Sequence, residues 1–192
     1  MGLTVSPSQR VAATERIACY GVNAQIVESH WEDFTDPAGF DAVYSDEVIV
    51  HFNNLVGYFQ KVHTLLHDGG RMVNKELHYT HPLHYQMTRS MSFVNDIFGE
   101  TGNYRTLADE LAMVYAANFE VQQVYNIDIS NYLKTFDGWL GNMRAHRAAM
   151  EAAVGPDTYH RYRTYVNIIR QAFTKRKITL DVVVSHKISD PA

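Results

Sequence analysis

Residues 40–77 place the tightest constraint on the fold. The segment Phe40-Asp41-Ala42-Val43-Tyr44 is a short, mainly apolar run, the pattern of a strand buried on both faces. It stops abruptly at Ser45-Asp46-Glu47. Beyond His51, the residues Leu55, Tyr58, Phe59, Val62, Leu65 and Leu66 recur with a 3.6-residue period, which predicts a helix over 53–66. Asp68-Gly69-Gly70 ends that helix, and 71–77 reads as a further strand. Strand, helix and strand in this order predict a mainly parallel α/β sheet with covering helices. Ligands of such sheets bind just past the carboxyl ends of the strands, so residues 45–51 are where chemistry is expected.

The flanking sequence extends the alternation. Leu3-Thr4-Val5 ends a strand, and Ser6-Pro7 opens a helix with a capping hydroxyl and a proline at the first helical position. Val11, Ile17 and Ala18 are expected against a sheet, with Gly21 as the stop. A strand follows over 24–29, then a polar link to residue 38. Downstream, helices are expected over 105–118, 129–154 (slowed at Gly138 and Gly141) and 157–173, with strands over 120–125 and 178–185. Periodicity fails between 78 and 104, as in a lid or binding loop. His78, His81 and His84 cluster there, but their spacing matches no zinc signature and no metal is expected. Tyr132 and Trp139 can offer π faces to a cation.

Length and composition favour a single domain spanning 1–192, with 46% hydrophobic and 20% charged residues. A net charge of -4 argues against nucleic acid, which calls for a basic, clustered surface. The lone Cys19 fits a reducing cytoplasm and precludes an internal disulfide. No apolar run approaches the roughly 18 residues of a membrane helix, and no signal peptide is expected.

Several segments carry a resemblance to the cyclopropane-fatty-acid and mycolic-acid cyclopropane synthases, a family of S-adenosylmethionine (SAM)-dependent methyltransferases. They are Gly2-Leu3-Thr4-Val5-Ser6-Pro7-Ser8-Gln9, His30-Trp31-Glu32-Asp33-Phe34, Phe40 through Ser45, and the stretch from Leu65 to Met72. More specific are Tyr132-Leu133-Lys134-Thr135-Phe136-Asp137-Gly138-Trp139 and the spaced aromatic and basic pattern from Tyr159 to Ser185. The resemblance implies a Rossmann-like class I methyltransferase sheet with helical acceptor-side insertions at 78–117 and 128–173. It implies SAM as cofactor, with Thr4, Gln9, Trp31, Glu32, Ser45 and Asp46 against it, and an apolar, lipid-like or secondary-metabolite acceptor. Val50, Lys75, His78 and Trp139 are then expected on the acceptor side. Arg161, Arg163, Arg170, Lys175, Arg176 and Lys177 suggest peripheral contact with an anionic lipid or carrier, and self-association is a further expectation.

Three departures from the family pattern qualify this. The sequence has no G-x-G-x-G, so the first strand and its glycine-rich loop are missing from it, and weak cofactor binding is expected of the chain alone. The expectation is therefore a fragment or a mis-started reading frame, or a partner that supplies the missing half. By the resemblance, the glutamate that helps hold a bicarbonate near the transferred methyl is Val50 here, and the histidine of the next strand aligns with Lys75 or its neighbour Asn74. Tyr132 alone is retained from that ion's site. With this base site dismantled, and with Lys75 placing positive charge near a cationic intermediate, carbon methylation is expected over cyclopropanation. Glu47 is the candidate substitute acid or base, and His51 a candidate for orienting the acceptor.

Overall fold

The computed structural model describes residues 1–85 and 104–189. They form two compact units, one over 1–40 and one from 41 onward. The first is a β–α–β unit. Strand β1 (Gly2–Thr4) pairs in parallel with β2 (Ile26–Glu28). The connecting helix α1 (Pro7–Tyr20) starts as expected: the Ser6 hydroxyl accepts the Gln9 N–H, and Gly21 closes the helix at φ 62°. The face expected to be covered is not. Val11 and Ala18 are exposed, Ile17 is half-buried, and α1 has no buried residue.

The second unit holds a five-stranded sheet in the order β3-β4-β7-β6, with β5 added beside β4. Its strands are β3 (Phe40–Asp46), β4 (Leu66–Tyr79), β5 (Arg105–Thr106), β6 (Phe119–Asn126) and β7 (Ile178–Lys187). The sheet is mixed: β4 and β6 both run antiparallel to β7, while β5 is parallel to β4. A mainly parallel sheet was the expectation; the closing strand returns directly from a helix and reverses direction. β3 is an edge of this sheet, which explains why it is not buried on both faces as its apolar run suggests: only Ser45 is buried, and Tyr44 is 62% exposed.

Helix α2 (Leu55–Leu65) starts on Asn54, whose side-chain oxygen accepts the Gly57 N–H, and it buries Leu55, Tyr58, Phe59 and Val62. Helix α3 (Leu107–Ala116) has a capping box, Thr106 and Asp109 each accepting the other's backbone N–H. The long downstream helix divides into α4 (Ile129–Ala145) and α5 (Arg147–Val154). The break falls at His146 rather than at Gly138 or Gly141, both of which lie inside the continuous α4. Helix α6 (Pro156–Thr174) packs on α4 and, through Val166, Ile169, Ala172 and Phe173, builds a core with Phe136, Leu140, Tyr79 and Ile178. Burial of these side chains, at about 25 cal/mol per Å2 of apolar surface, is what docks the helical layer on the sheet. The part of the expected binding loop over 86–103 lies outside the described residues.

Candidate functional site

β4 sorts its side chains by alternation, as a strand must. Met72, Asn74, Glu76 and His78 are buried, whereas Val73, Lys75 and Leu77 on the opposite face are half-buried. Lys75 reaches the end of β3. Its ammonium lies 2.7 Å from Asp46 Oδ1 and 3.0 Å from Glu47 Oε1. Burial alone would lower the Lys75 pKa, but the hydrogen bonds it donates to Asp46 and Glu47 outweigh this and raise it, so the group stays charged. Asp46 also accepts the Tyr44 hydroxyl at 2.8 Å. Burial works against its charge, yet the Lys75 and Tyr44 bonds hold its carboxyl below the ordinary range.

Glu47 is the hub of this cluster. Its N–H donates to the Lys75 carbonyl at 2.7 Å, and its backbone sits at φ 51°, a left-handed conformation that costs a non-glycine residue energy. Such strain is retained where surrounding structure demands it, often at functional sites. The Glu47 carboxylate also faces the Tyr132 hydroxyl; burial and then the pull of this carboxylate push the tyrosine pKa up strongly. The Tyr132 ring is stacked on Phe173 at 4.6 Å and 17°, which fixes its direction. Tyr165 and Tyr104 lie close enough for the Glu47 charge to add to the effect of burial in raising their pKa values. The site is therefore a carboxylate between an ammonium and a phenol, ringed by aromatic side chains. Counting Lys75 as +1 and Asp46 and Glu47 as -1 each, the cluster carries a net charge of -1. This removes the objection to Lys75 beside a developing cation, because its charge is more than neutralised at contact distance.

Other expected residues are placed differently. The Ser45 hydroxyl turns inward, donating to Asn74 Oδ1 at 2.6 Å, and its residue is 6% exposed, so it is not open to a ligand. Val50 is buried within the 3-10 turn Ile49–His51. His51 is exposed, and Trp139 is half exposed with its ring edge-on to Phe136. His78 is not on an acceptor surface at all. It is 1% exposed, with Nδ1 3.1 Å from Asp181 and Nε2 2.8 Å from Glu110. Burial disfavours its charge, but the two carboxylates prevail and raise its pKa to about 9. His81 and His84 take local partners, the Leu83 N–H and the Thr80 hydroxyl.

In the first unit, Thr4 is the last residue of β1, and Trp31 and Glu32 follow the carboxyl end of its parallel partner β2. The Thr4 hydroxyl donates to Gln9 Oε1 at 2.7 Å, and the Trp31 ring lies 5.6 Å from that of His30. Glu32 donates its N–H to His30 Nδ1 at 3.4 Å. A strand-end hydroxyl and amide, an indole face and a carboxylate together suit a nucleoside, with its ring and its ribose hydroxyls.

The reading from sequence missed Glu76, a buried carboxylate accepting the Val50 N–H at 3.1 Å and the Leu77 N–H at 2.8 Å. Burial raises its pKa to about 7, against the pull of those two bonds. The signal was there: Asn74, Glu76 and His78 stand at alternate positions of a strand that covers a core.

The family model described as mycolic acid cyclopropane synthetase matches residues 1–183. The S-adenosylmethionine-dependent methyltransferase UmaA of Mycobacterium tuberculosis is 23% identical over 188 residues, covering 91% of this chain; the chain spans 65% of that protein's length. The cyclopropane synthase MmaA2 of Mycobacterium tuberculosis superposes with a TM-score of 0.85 at 17% identity, over 97% of this chain and 69% of the other. Mycolic acid cyclopropane synthase CmaA1, in complex with SAH and CTAB, gives 0.84 at 21% identity, over 97% and 69%. At these identities the superpositions establish the class I methyltransferase fold.

Proposed function

Given that the chain belongs to the mycolic acid cyclopropane synthetase family, we propose that it acts as a SAM-dependent methyltransferase on a carbon atom of an apolar, unsaturated, lipid-like acceptor. Bound SAM supplies a methyl group on a sulfonium, and the rest of the chemistry falls to the protein. Thr4, Gln9, Trp31 and Glu32 would hold the nucleoside end. The observation that carries the reading is Glu47, a carboxylate fixed between the Lys75 ammonium and the Tyr132 hydroxyl at the end of β3. An alkene that gains a methyl cation becomes electron-deficient at the neighbouring carbon and must lose a proton. Glu47 accepts that proton, while the net negative cluster and the faces of Tyr132, Tyr104 and Tyr165 stabilise the positive charge. The detergent in the CmaA1 complex is itself an apolar chain with a cationic head, which supports an acceptor of this shape.

The same carboxylate favours a second reading, cyclopropanation with Glu47 as a relocated base. The two differ only in which proton leaves. Loss from an old chain carbon gives a methyl-branched alkene, and loss from the new methyl closes a ring. Incubating the full chain with SAM and vesicles of an unsaturated phospholipid, followed by proton NMR of the released acyl chains, separates them. Signals of a branched methyl are expected. Upfield ring protons would establish cyclopropanation instead, and unmodified acyl chains would contradict both for this acceptor.

A further inference from the structure

The connection from β3 to α2 carries Glu47 and, besides the Lys75–Glu47 ion pair, is tied to β4 at two points. One is backbone to backbone, the Glu47 N–H on the Lys75 carbonyl at 2.7 Å. The other is made by a side chain: Glu76 Oε2 accepts the Val50 N–H at 3.1 Å while Oε1 accepts the Leu77 N–H at 2.8 Å. Glu76 is 1% exposed and touches the first turn of the 3-10 segment, where N–H groups lack intrahelical partners.

We propose that Glu76 is a positioning residue of the site: its carboxylate fastens the 49–51 turn to β4 and so fixes the register in which Glu47 meets Lys75 and Tyr132. Only the ionised carboxylate offers both oxygens as pure acceptors; once protonated, one becomes an O–H and gives up its N–H bond. The groups facing Glu76 pull in both directions. Glu110 on α3 resists its ionisation, whereas His78 on β4 and Arg105 on β5 favour it, and the phenols of Tyr104 and of Tyr132 on α4 lie within electrostatic range. With burial pushing the carboxyl to about 7, the clamp loosens as pH falls through neutrality.

This builds on the methyltransferase reading for its kinetic arm only. The test follows the Val50 and Leu77 amides by 15N NMR from pH 5 to 8.5, alongside methyl transfer, in the native chain and in Glu76→Gln. Both amides should shift together with a midpoint about 7 in the native chain, and kcat should fall with the same midpoint while the acceptor KM holds. In Glu76→Gln the amide titrations should vanish, and kcat should drop about tenfold without that pH limb, the rate equivalent of one hydrogen bond. Glu76→Asp, which keeps the charge but is too short to reach both N–H groups, should lose rate while keeping a titration. Val50 and Leu77 amides that ignore pH in the native chain overturn the proposal. So does a Glu76→Gln enzyme with an unaltered kcat profile. If Glu76→Gln does not fold, the native amide titration together with Glu76→Asp decides. Amides that titrate in a chain that transfers no methyl would leave the clamp standing and remove the methyltransferase reading.

Discussion

Replacing His78 by glutamine tests the buried charge network quantitatively. His78 bonds Glu110 on α3 and Asp181 on β7, so it ties three elements of the second unit through one imidazolium. Asp181 is further held by the Thr179 hydroxyl at 2.7 Å and Asn126 Nδ2 at 2.9 Å, so it cannot turn away. The His78 pKa is raised from 6.5 to about 9, which at 1.36 kcal/mol per unit corresponds to about 3 kcal/mol. Because the folded value lies above the unfolded one, this stabilisation is fully present below pH 6.5 and is lost as pH rises through 9. Urea unfolding followed by circular dichroism at pH 6.5, 8 and 9.5 should therefore show the native chain losing stability by about that amount. Glu76 also has a raised pKa, but its loss occurs earlier, between 4.5 and about 7. In His78→Gln the two carboxylates are buried without their cation, so the variant is less stable throughout. The deciding quantity is the slope above pH 7, which should flatten. A variant that keeps the native slope refutes the assignment.

Three further outcomes follow from the same geometry. Tyr132→Phe keeps the stack on Phe173 but loses the hydroxyl beside Glu47; thermal stability should change by about 1 kcal/mol or less, while methyl transfer falls tenfold or more. Trp31→Ala should weaken binding of S-adenosylhomocysteine in a calorimetric titration by about 1 to 2 kcal/mol, the loss of one aromatic face. Equal affinity would remove Trp31 from the nucleoside site. Towards acid, Asp46 and Asp181 act oppositely to Glu76: their pKa values are lowered, so their stabilisation is lost as pH falls through the carboxylate range. Acid unfolding should thus come earlier in Asn126→Ala, which removes one donor to Asp181.

Periodicity reached the local elements well. The α2 stripe through Leu65, the Ser6 cap and the Gly21 stop are set by neighbours in sequence and lie where the pattern puts them. Leu66 and the expected stop at Asp68-Gly69-Gly70 instead belong to β4, whose pairing with β7 overrides the glycines. What it could not reach was set by distant partners. β3 reads as a doubly buried strand, yet its position at a sheet edge leaves Tyr44 exposed. His78 looked like an acceptor-loop residue because Glu110 and Asp181, 32 and 103 positions away, are invisible to spacing. The location of the cluster at the end of β3 followed from topology, and Glu47 and Tyr132 were named from position and resemblance. That Lys75 is neutralised by Asp46 and Glu47 emerges only when β3 and β4 lie side by side. Among the described residues no helix is long and apolar enough to cross a membrane.

The central claim is that the Glu47 carboxylate, held by Lys75 and facing Tyr132, is the reacting group. Turnover of Glu47→Gln, with S-adenosylhomocysteine affinity measured on the same preparation, tests it most directly. Binding should stay within about twofold of the native chain, while transfer of a 13C-labelled methyl from SAM to the acceptor falls by at least about a hundredfold, the usual worth of a positioned base. Native-level transfer by a folded Glu47→Gln chain would contradict it.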